Sequence, residues 1–498
     1  MDLADCRKQL DEIDAEILSL FVRRMDIAAV IAAWKKENGF PVLDAAREAE
    51  KLDTLSGLAP EALDGEVRAL FSKIMELSRG VQTRILNGEK AEKAKCGLLG
   101  EKLGHSYSPQ IHALLGDYEY LLYEKAPEEV VDFVRRGDWH GLNVTIPYKK
   151  TVIPLCDELS ETASAIGSVN TLLRRPDGTI FGDNTDACGF RHMLRKTGFE
   201  PAGKKALVCG TGGASLTVCA VLNSLGAEVI TLSRSGENNY ANLDRHRDAS
   251  LLVNATPLGM YPKNGAQAVD LRDLPQLEAV LDVVYNPART ALLLQAEALS
   301  IPHAGGLSML VAQAKRASEI FQGKDIPDSE TEWITALLSR EMQNWILIGR
   351  PGSGKSTGGR LLAEKLNRPY VEADEEIEKQ AGMSIPEIFR LEGEEGFRKR
   401  ETKVLRELGK RSGIVLSTGG GCVTREENYP LLHQNGILIL LTRDIDRLAR
   451  EGRPLSQGAD LHAMAAVRGP LYRRFADITV SNDLSPDETV RAILGELS

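Results

Sequence analysis

A run that reads as a buried strand, Trp345-Ile-Leu-Ile-Gly349, passes without a break into Gly349-Arg-Pro-Gly352-Ser353-Gly354-Lys355-Ser356-Thr357 and then into a helical pattern. Strand, glycine turn and helix in that order have one economical solution: the strand lies inside a parallel sheet, and the turn presents backbone amides at a helix N-terminus, where negative charge is stabilised. A second unit of the same design runs through Ala206-Leu-Val-Cys-Gly210-Thr-Gly212-Gly213-Ala214-Ser215. The chain has 498 residues, more than one core of about 100–150 residues can serve, so the two units belong to separate α/β domains.

The first 87 residues contain no comparable strand. Apolar residues recur at Leu3, Cys6, Leu10, Ile13, Ile17, Leu20, Ile27, Ile31 and Trp34. That spacing predicts one amphipathic helix of about 35 residues, roughly 50 Å long. Gly39 and Pro41 end it, Asp44 suits the cap of a second helix, and a third is expected from near Pro60 to Leu86. The polar stretch 87–95 then leads into alternating strand and helix patterns that continue to the end.

Composition excludes several partners. With 71 acidic against 61 basic residues the net charge is −10, which argues against a nucleic-acid or acidic-membrane surface. No apolar run reaches the roughly 18 residues of a membrane span. Seven cysteines, odd in number and without Cys-x-x-Cys spacing, read as free thiols in a reducing compartment, and the expected location is the cytoplasm.

In the helical segment Arg24 occupies a position where the spacing calls for an apolar residue, and a guanidinium there needs an anion. Lys35 lies three turns on and shares its face. Arg7 lies about 25 Å from Arg24 along the axis and is rotated away, so it should serve a second site in a partner chain, which predicts a homodimer. Arg7 with Asp14, Arg24, Lys35, Asp44-x-x-Arg47-Glu48, Ser78 and Gln82 together resemble the all-helical type of chorismate mutase across the whole segment. The resemblance implies a pericyclic rearrangement of chorismate to prephenate. Arg7 (from the partner), Arg24 and Arg47 would bind carboxylates, Lys35 and Gln82 would face the ether oxygen, Glu48 would take the ring hydroxyl, and Ser78 would line the site.

The middle region carries Ser106-Tyr-Ser108-Pro109 in a turn, Thr145-Ile-Pro147-Tyr-Lys149 after an extended stretch, and Gly182-Asp-Asn-Thr-Asp186, read as an acid in a turn. A lysine and an aspartate brought together form an acid/base pair. In the glycine turn at Gly210, Gly212, Gly213 and Ala214, Ser215 replaces the usual third glycine. The next strand ends at Ser233-Arg234, with no acid for a ribose 2′-hydroxyl; an arginine there suits a 2′-phosphate and favours NADP. With Gly167-Ser-Val-Asn170-Thr171, Asn254-Ala-Thr-Pro-Leu-Gly259, Asp282-Val-Val-Tyr285-Asn-Pro and Gly305-Gly306 through Gln313, these strings resemble shikimate dehydrogenase over nearly all of 95–340. That resemblance implies substrate contacts from Ser106, Ser108, Thr145, Asn170, Tyr285 and Gln313, and a catalytic pair of Lys149 and Asp186. The sequence departs from the family at Ala187, usually Gly, and in lacking a second Arg after Arg234. His105 and His112 read as scaffold.

The loop at Gly349, Gly352, Ser353, Gly354, Lys355, Ser356 and Thr357 satisfies G-x-x-x-x-G-K-[ST]: amides cradle phosphates, Lys355 reaches the β/γ groups and Ser356 can ligate Mg²⁺. Glu372-Ala-Asp374, Phe397-Arg398-x-x-Glu401, Gly419-Gly420-Gly421, Arg453-Pro-Leu and Arg468-Gly-Pro-Leu-Tyr472 resemble shikimate kinase. By that likeness Asp374 would meet the acceptor's hydroxyls and Arg398 and Arg468 its carboxylate. Gly420 would supply an amide. On a lid at 447–458, Arg453 would stabilise the transferring phosphoryl group and Arg450 would stack on adenine. Glu372 stands where the family usually has Asp and would order water on magnesium.

The expected protein is multidomain: an all-α helical domain (1–90), an α/β two-lobed Rossmann-type dehydrogenase (95–340; substrate lobe about 95–195, NADP-binding lobe about 200–310, closing helices to 340) and an α/β P-loop kinase (343–498). The implied function is a trifunctional cytoplasmic enzyme of aromatic biosynthesis using NADP, ATP and Mg²⁺, acting on chorismate and on 3-dehydroshikimate/shikimate. One alternative makes the helical domain a non-catalytic ligand-sensing dimerisation module. A second makes the middle domain an NAD-dependent quinate/shikimate oxidoreductase, against which Ser108 and Arg234 speak.

Overall fold

The computed structural model describes all residues except 1–2, 59, 61–62, 87–92, 105, 445–460 and 498. It divides into two units, Met1–Ala94 and Lys95–Ser498. In the first, α1 (Leu3–Asn38) is one unbroken helix, ended by Gly39 at φ +69°, a left-handed turn that glycine adopts at little cost. The Asp44 carboxylate accepts from the Arg47 amide at 3.0 Å and caps α2 (Ala45–Ser56). α3 spans Asp64–Leu86. It starts later than the expected Pro60, and the Leu63 amide donates to the Pro60 carbonyl (2.8 Å). α1 packs on α3, with Ala28, Ala32, Met75 and Ser78 buried. Much of the apolar stripe is not buried by this packing: Leu10, Ile13, Ile17, Leu20, Ile27 and Trp34 are all exposed.

The second unit contains three sheets. The first comprises β1 (Lys95–Gly100), β2 (Glu119–Glu124), β3 (Gly141–Val144), β4 (Glu158–Leu159), β5 (Thr171–Arg174) and β6 (Ile180–Asp183). Their order is β2-β1-β3-β5-β6-β4, with β5 antiparallel to both neighbours and the other pairs parallel. The second comprises β7 (Lys205–Cys209), β8 (Glu228–Leu232), β9 (Leu251–Asn254), β10 (Ala279–Asp282) and β11 (His303–Gly305), all parallel in the order β11-β10-β9-β7-β8. The third comprises β12 (Asn344–Ile348), β13 (Tyr370–Glu372), β14 (Val415–Ser417), β15 (Gly436–Thr442) and β16 (Ile478–Ser481), all parallel in the order β13-β14-β12-β15-β16. At the centre of the third sheet, β12 is buried at every residue, and its sequence is continuously apolar after Asn344, as befits a strand covered on both faces. Both glycine turns leave the C-terminal ends of β7 and β12, where the strand order reverses and a crevice opens.

The second and third sheets are tied closely. Gln343 alone separates the helix Asp328–Met342 from β12. The Arg289 guanidinium donates to the carbonyls of His433 (2.8 Å) and Gly436 (2.6 Å), at the start of β15.

Asp282, at the end of β10, is fully buried and accepts from Asn254 Nδ2 (2.9 Å), the Val284 amide (3.0 Å) and Thr290 Oγ1 (2.7 Å). Burial outweighs these donors and pushes its carboxyl from 3.8 up to about 6. Between those values the folded chain holds more proton than the unfolded one, so this group's contribution to stability declines as pH rises through that window. The margin in unfolding midpoint of the native protein over Asp282→Asn should therefore widen as pH falls from 6.5 to 4.5. A margin independent of pH would contradict the assignment.

Candidate active sites

The first unit holds a cavity of about 360 Å³ lined by Arg24, Lys35, Arg47, Glu48, Ser78 and Gln82 among others. Arg24 is half-buried and donates to Ser78 Oγ (2.8 Å), so the guanidinium set into an apolar stripe turns inward between α1 and α3. Lys35 Nζ donates to the Val42 carbonyl (2.7 Å). A side-chain oxygen of Gln82 is buried without a partner; because amide oxygen and nitrogen exchange on a flip, this end can offer a ligand either a donor or an acceptor. Glu48 pairs with Arg79, which also lines the cavity; the only sequence signal for it is its place between Ser78 and Gln82 on α3. Arg7 is exposed and is not among the lining residues.

In the middle region Lys149 Nζ lies 2.5 Å from Asp186 Oδ2, and both side chains are largely buried. Asp186 is the first residue of the helix Asp186–Arg195 rather than part of a turn. A carboxylate there faces the positive end of the helix dipole, which complements its charge. A Cβ on Gly213 would lie 3.8 Å from Lys149 Cδ, which sets the ion pair against the glycine turn of the second sheet. Thr185 is the hub the sequence did not reveal: its amide donates to Asn170 Oδ1 (2.7 Å) and its hydroxyl to Gln313 Oε1 (3.3 Å). Asn170 and Gln313 are thereby gathered one residue from Asp186.

Ser106 Oγ accepts from the amide of Ser108 (3.2 Å), which begins the helix Ser108–Leu115. Tyr107 meets Tyr285 edge-on, ring centroids 6.0 Å apart, so the serine turn and Tyr285 are neighbours. Thr145 is half-buried; a Cβ on Gly100 would lie 2.7 Å from its methyl group. His112 is fully buried, stacked on Tyr120 at 4.0 Å, and burial holds its imidazole down at about 3, so it stays neutral. His105 lies outside the described residues.

The glycine turn suits a pyrophosphate. Gly210 takes φ +112°, and nothing lies within 4 Å of a Cβ placed on Gly212, which leaves room at the N-terminus of the helix Gly213–Ser224 that includes Ala214. Ser215, in place of the third glycine, is buried and donates to the Gly210 carbonyl (2.6 Å); its hydroxyl braces the turn. Beyond β8, Ser233 is half-buried and Arg234 exposed.

The third sheet opens on a cavity of about 300 Å³ lined by Gly352, Gly354, Lys355, Ser356, Thr357, Glu372, Asp374, Arg398, Gly420 and Arg468, with others. Gly354 adopts φ +88°, and a Cβ there would come within 2.1 Å of Asn482 Nδ2, so only glycine fits. Asn482 Nδ2 in turn donates to the Ser353 carbonyl (2.6 Å), and Lys355 Nζ to the carbonyls of Gly349 and Arg350, each at 3.0 Å. Arg398 is 5% exposed and bridges to fully buried Glu401 at 2.7 Å. Arg468 donates to the Gly420 carbonyl (3.4 Å), as does the Tyr472 hydroxyl. Burial, reinforced by the charge of Glu372, raises the Asp374 carboxyl above the usual range. Buried Ser353 Oγ and Asp374 Oδ1 have no partner, as befits a cradle that completes its hydrogen bonds on a ligand. Among the described residues no cluster of three or more His, Cys, Asp and Glu could hold a metal. The Ser356 hydroxyl and the carboxylates of Glu372 and Asp374 form a hard oxygen set, which suits Mg²⁺ carried on nucleotide phosphates. Arg450, Arg453 and the lid lie outside the described residues.

These features define a two-lobed nucleotide-dependent oxidoreductase followed by a phosphate-loop phosphotransferase and preceded by a helical bundle with a cationic pocket. Family models match in the same order: chorismate mutase type II over residues 6–83, the shikimate dehydrogenase substrate binding domain over 98–172 and shikimate kinase over 351–498. The NADP(+) shikimate dehydrogenase of Clostridium perfringens (strain SM101) is 35% identical over 258 residues, 47% of this chain and 95% of that protein. That of Methanopyrus kandleri is 37% identical over 270 residues, 48% and 93%. A crystal structure of a chorismate mutase/shikimate 5-dehydrogenase fusion protein from Clostridium acetobutylicum is similar at 35% identity and TM-score 0.47, covering 49% of this chain and 97% of that one. The chain belongs to the shikimate dehydrogenase family. It is a fusion that also carries a chorismate mutase domain ahead of the dehydrogenase and a shikimate kinase domain after it.

Proposed function

We propose that the chain catalyses three reactions of aromatic biosynthesis: chorismate to prephenate, NADPH-dependent reduction of 3-dehydroshikimate to shikimate, and ATP-dependent phosphorylation of shikimate. Its modules span 1–90, 95–340 and 343–498. The observation that carries this reading is the convergence, within each module, of residues far apart in sequence on one cluster of charge, with Lys149 and Asp186 at 2.5 Å as the sharpest case.

In the mutase site Arg24 and Arg47 bind carboxylates, Lys35 and Gln82 stabilise negative charge growing on the ether oxygen, and Glu48, steadied by Arg79, takes the ring hydroxyl; no nucleophile is needed. Arg7 comes from the partner of a homodimer. Support comes from the exposed apolar stripe of α1, from Leu10 to Trp34, too long to be left to water. In the dehydrogenase Ser106, Ser108, Thr145, Asn170, Tyr285 and Gln313 orient the ring acid. Lys149 delivers a proton to the carbonyl oxygen, and Asp186 holds the ammonium in place. NADPH supplies the hydride when bound, its pyrophosphate on Gly210, Gly212, Gly213 and Ala214 and its 2′-phosphate near Ser233 and Arg234. In the kinase the loop Gly349–Thr357 and Lys355 hold the phosphates, Asp374 accepts from the acceptor hydroxyl, and Arg398 and Arg468 take its carboxylate. A fold with no described helix long and apolar enough to cross a membrane fits action on soluble acids in the cytoplasm.

Assays of the purified full chain for all three reactions test the reading directly, and loss of any one removes that module's assignment. Shared mutase sites have a quantitative signature. Arg7→Ala and Arg24→Ala proteins, each inactive, should recover about a quarter of native mutase activity when mixed equally, because half the exchanged dimers are mixed and each carries one intact site. No recovery despite demonstrated subunit exchange would contradict the shared site.

A further inference from the structure

The kinase cavity departs from its family at Glu372, where aspartate is usual. The extra methylene lengthens the side chain by about 1.5 Å and adds a torsion. A glutamate also loses more rotamer freedom on being held still. A carboxylate meant to order a metal's water therefore needs a restraint that aspartate would not.

Tyr370 supplies one. It lies two residues earlier on β13, hence on the same face of the strand, and its hydroxyl donates to Glu372 Oε2. Among the described residues no other side chain donates to that carboxylate. The ring is itself held. On one side it meets the helix Lys355–Leu366, where a Cβ on Gly359 would come within 2.7 Å of Tyr370 Cε2. The Arg360 guanidinium stands 4.8 Å from the ring centroid and is anchored to Glu375 at 3.0 Å. Gly359 is three residues beyond Ser356 on that helix, about one turn, so the element that presents the hydroxyl for the cation also fixes the ring that holds the carboxylate.

We propose that Tyr370 is a positioning residue for the kinase's divalent cation, tying back Glu372 Oε2 so that Oε1 is the oxygen that meets a metal-bound water. This rests on the assignment of Glu372 to the metal in the kinase reading above.

The test is Mn²⁺ titration of the full chain in the presence of ADP, followed by water-proton relaxation, for Tyr370→Phe, Glu372→Asp, Glu372→Gln and the Tyr370→Phe/Glu372→Asp double variant. Phenylalanine keeps the ring and removes only the donor. Tyr370→Phe should weaken Mn²⁺ binding about fivefold, the value of one hydrogen bond, with dehydrogenase turnover unchanged. It should have no effect in the Glu372→Asp background, where the shorter side chain is out of the hydroxyl's reach. Unchanged Mn²⁺ affinity in Tyr370→Phe, with Glu372→Gln weakened, overturns the role of Tyr370 alone. Equal weakening in both backgrounds overturns it too, since ring packing would then be the cause. Unchanged affinity in Glu372→Gln removes the metal assignment itself.

Discussion

Lys149→Ala should lower dehydrogenase turnover by about 10³-fold, within the range of a positioned general acid, and should leave the kinase and mutase rates at their native values. Lys149 is the only ion-pair partner of Asp186 among the described residues, at 2.5 Å, and it stands against the glycine turn. Its loss removes the proposed proton donor and leaves a mostly buried carboxylate without its ion-pair partner. Steady-state assays of all three reactions on one preparation provide the check. Equal loss in all three would mean that the variant misfolds, and a dehydrogenase rate within tenfold of native would remove Lys149 from the chemistry.

Arg398→Met should destabilise the kinase module by about 3–5 kcal/mol, because it strands fully buried Glu401 without its 2.7 Å partner. Burial already raises the Glu401 carboxyl above its ordinary range, and loss of the guanidinium removes the charge that opposes that burial. Arg398→Met/Glu401→Leu should recover most of that stability, since an apolar pair of similar volume replaces a buried ion pair at little cost. It should not recover phosphorylation, for which the proposed function assigns the guanidinium to the substrate carboxylate. Pulse proteolysis in urea, scored on fragments of the kinase module, measures the first effect and a coupled kinase assay the second. If the double variant were as unstable as the single one, packing of the Arg398 stem, and not the stranded charge, would be the cause.

The parts of the sites that could be read in advance are those written in contiguous residues. Trp345–Thr357 and Ala206–Ser215 each encode strand, turn and helix within one string, so local backbone rules suffice to place the amides. Lys149 and Asp186 were paired by the chemistry of an acid and a base, and the fold brings them together across 37 positions. Hubs built from unremarkable residues were not visible. Thr185 looks like any helix-flanking threonine until Asn170 and Gln313 converge on it. Arg79 and Glu48 come from different helices, and Tyr370 reads as an ordinary strand residue until its hydroxyl meets Glu372.

What the sequence determined alone was the succession of architectures, the location of both glycine cradles and the apolar stripe of α1, because periodicity and glycine conformation act within a few residues of one another. The tertiary structure decided which side chains complete each pocket: Glu401 against Arg398, Asn482 beneath Ser353 and Ser215 bracing Gly210. Hydrogen bonds and ion pairs are satisfied by whichever group packing delivers to within about 3 Å, and no local pattern in the chain records that arrival.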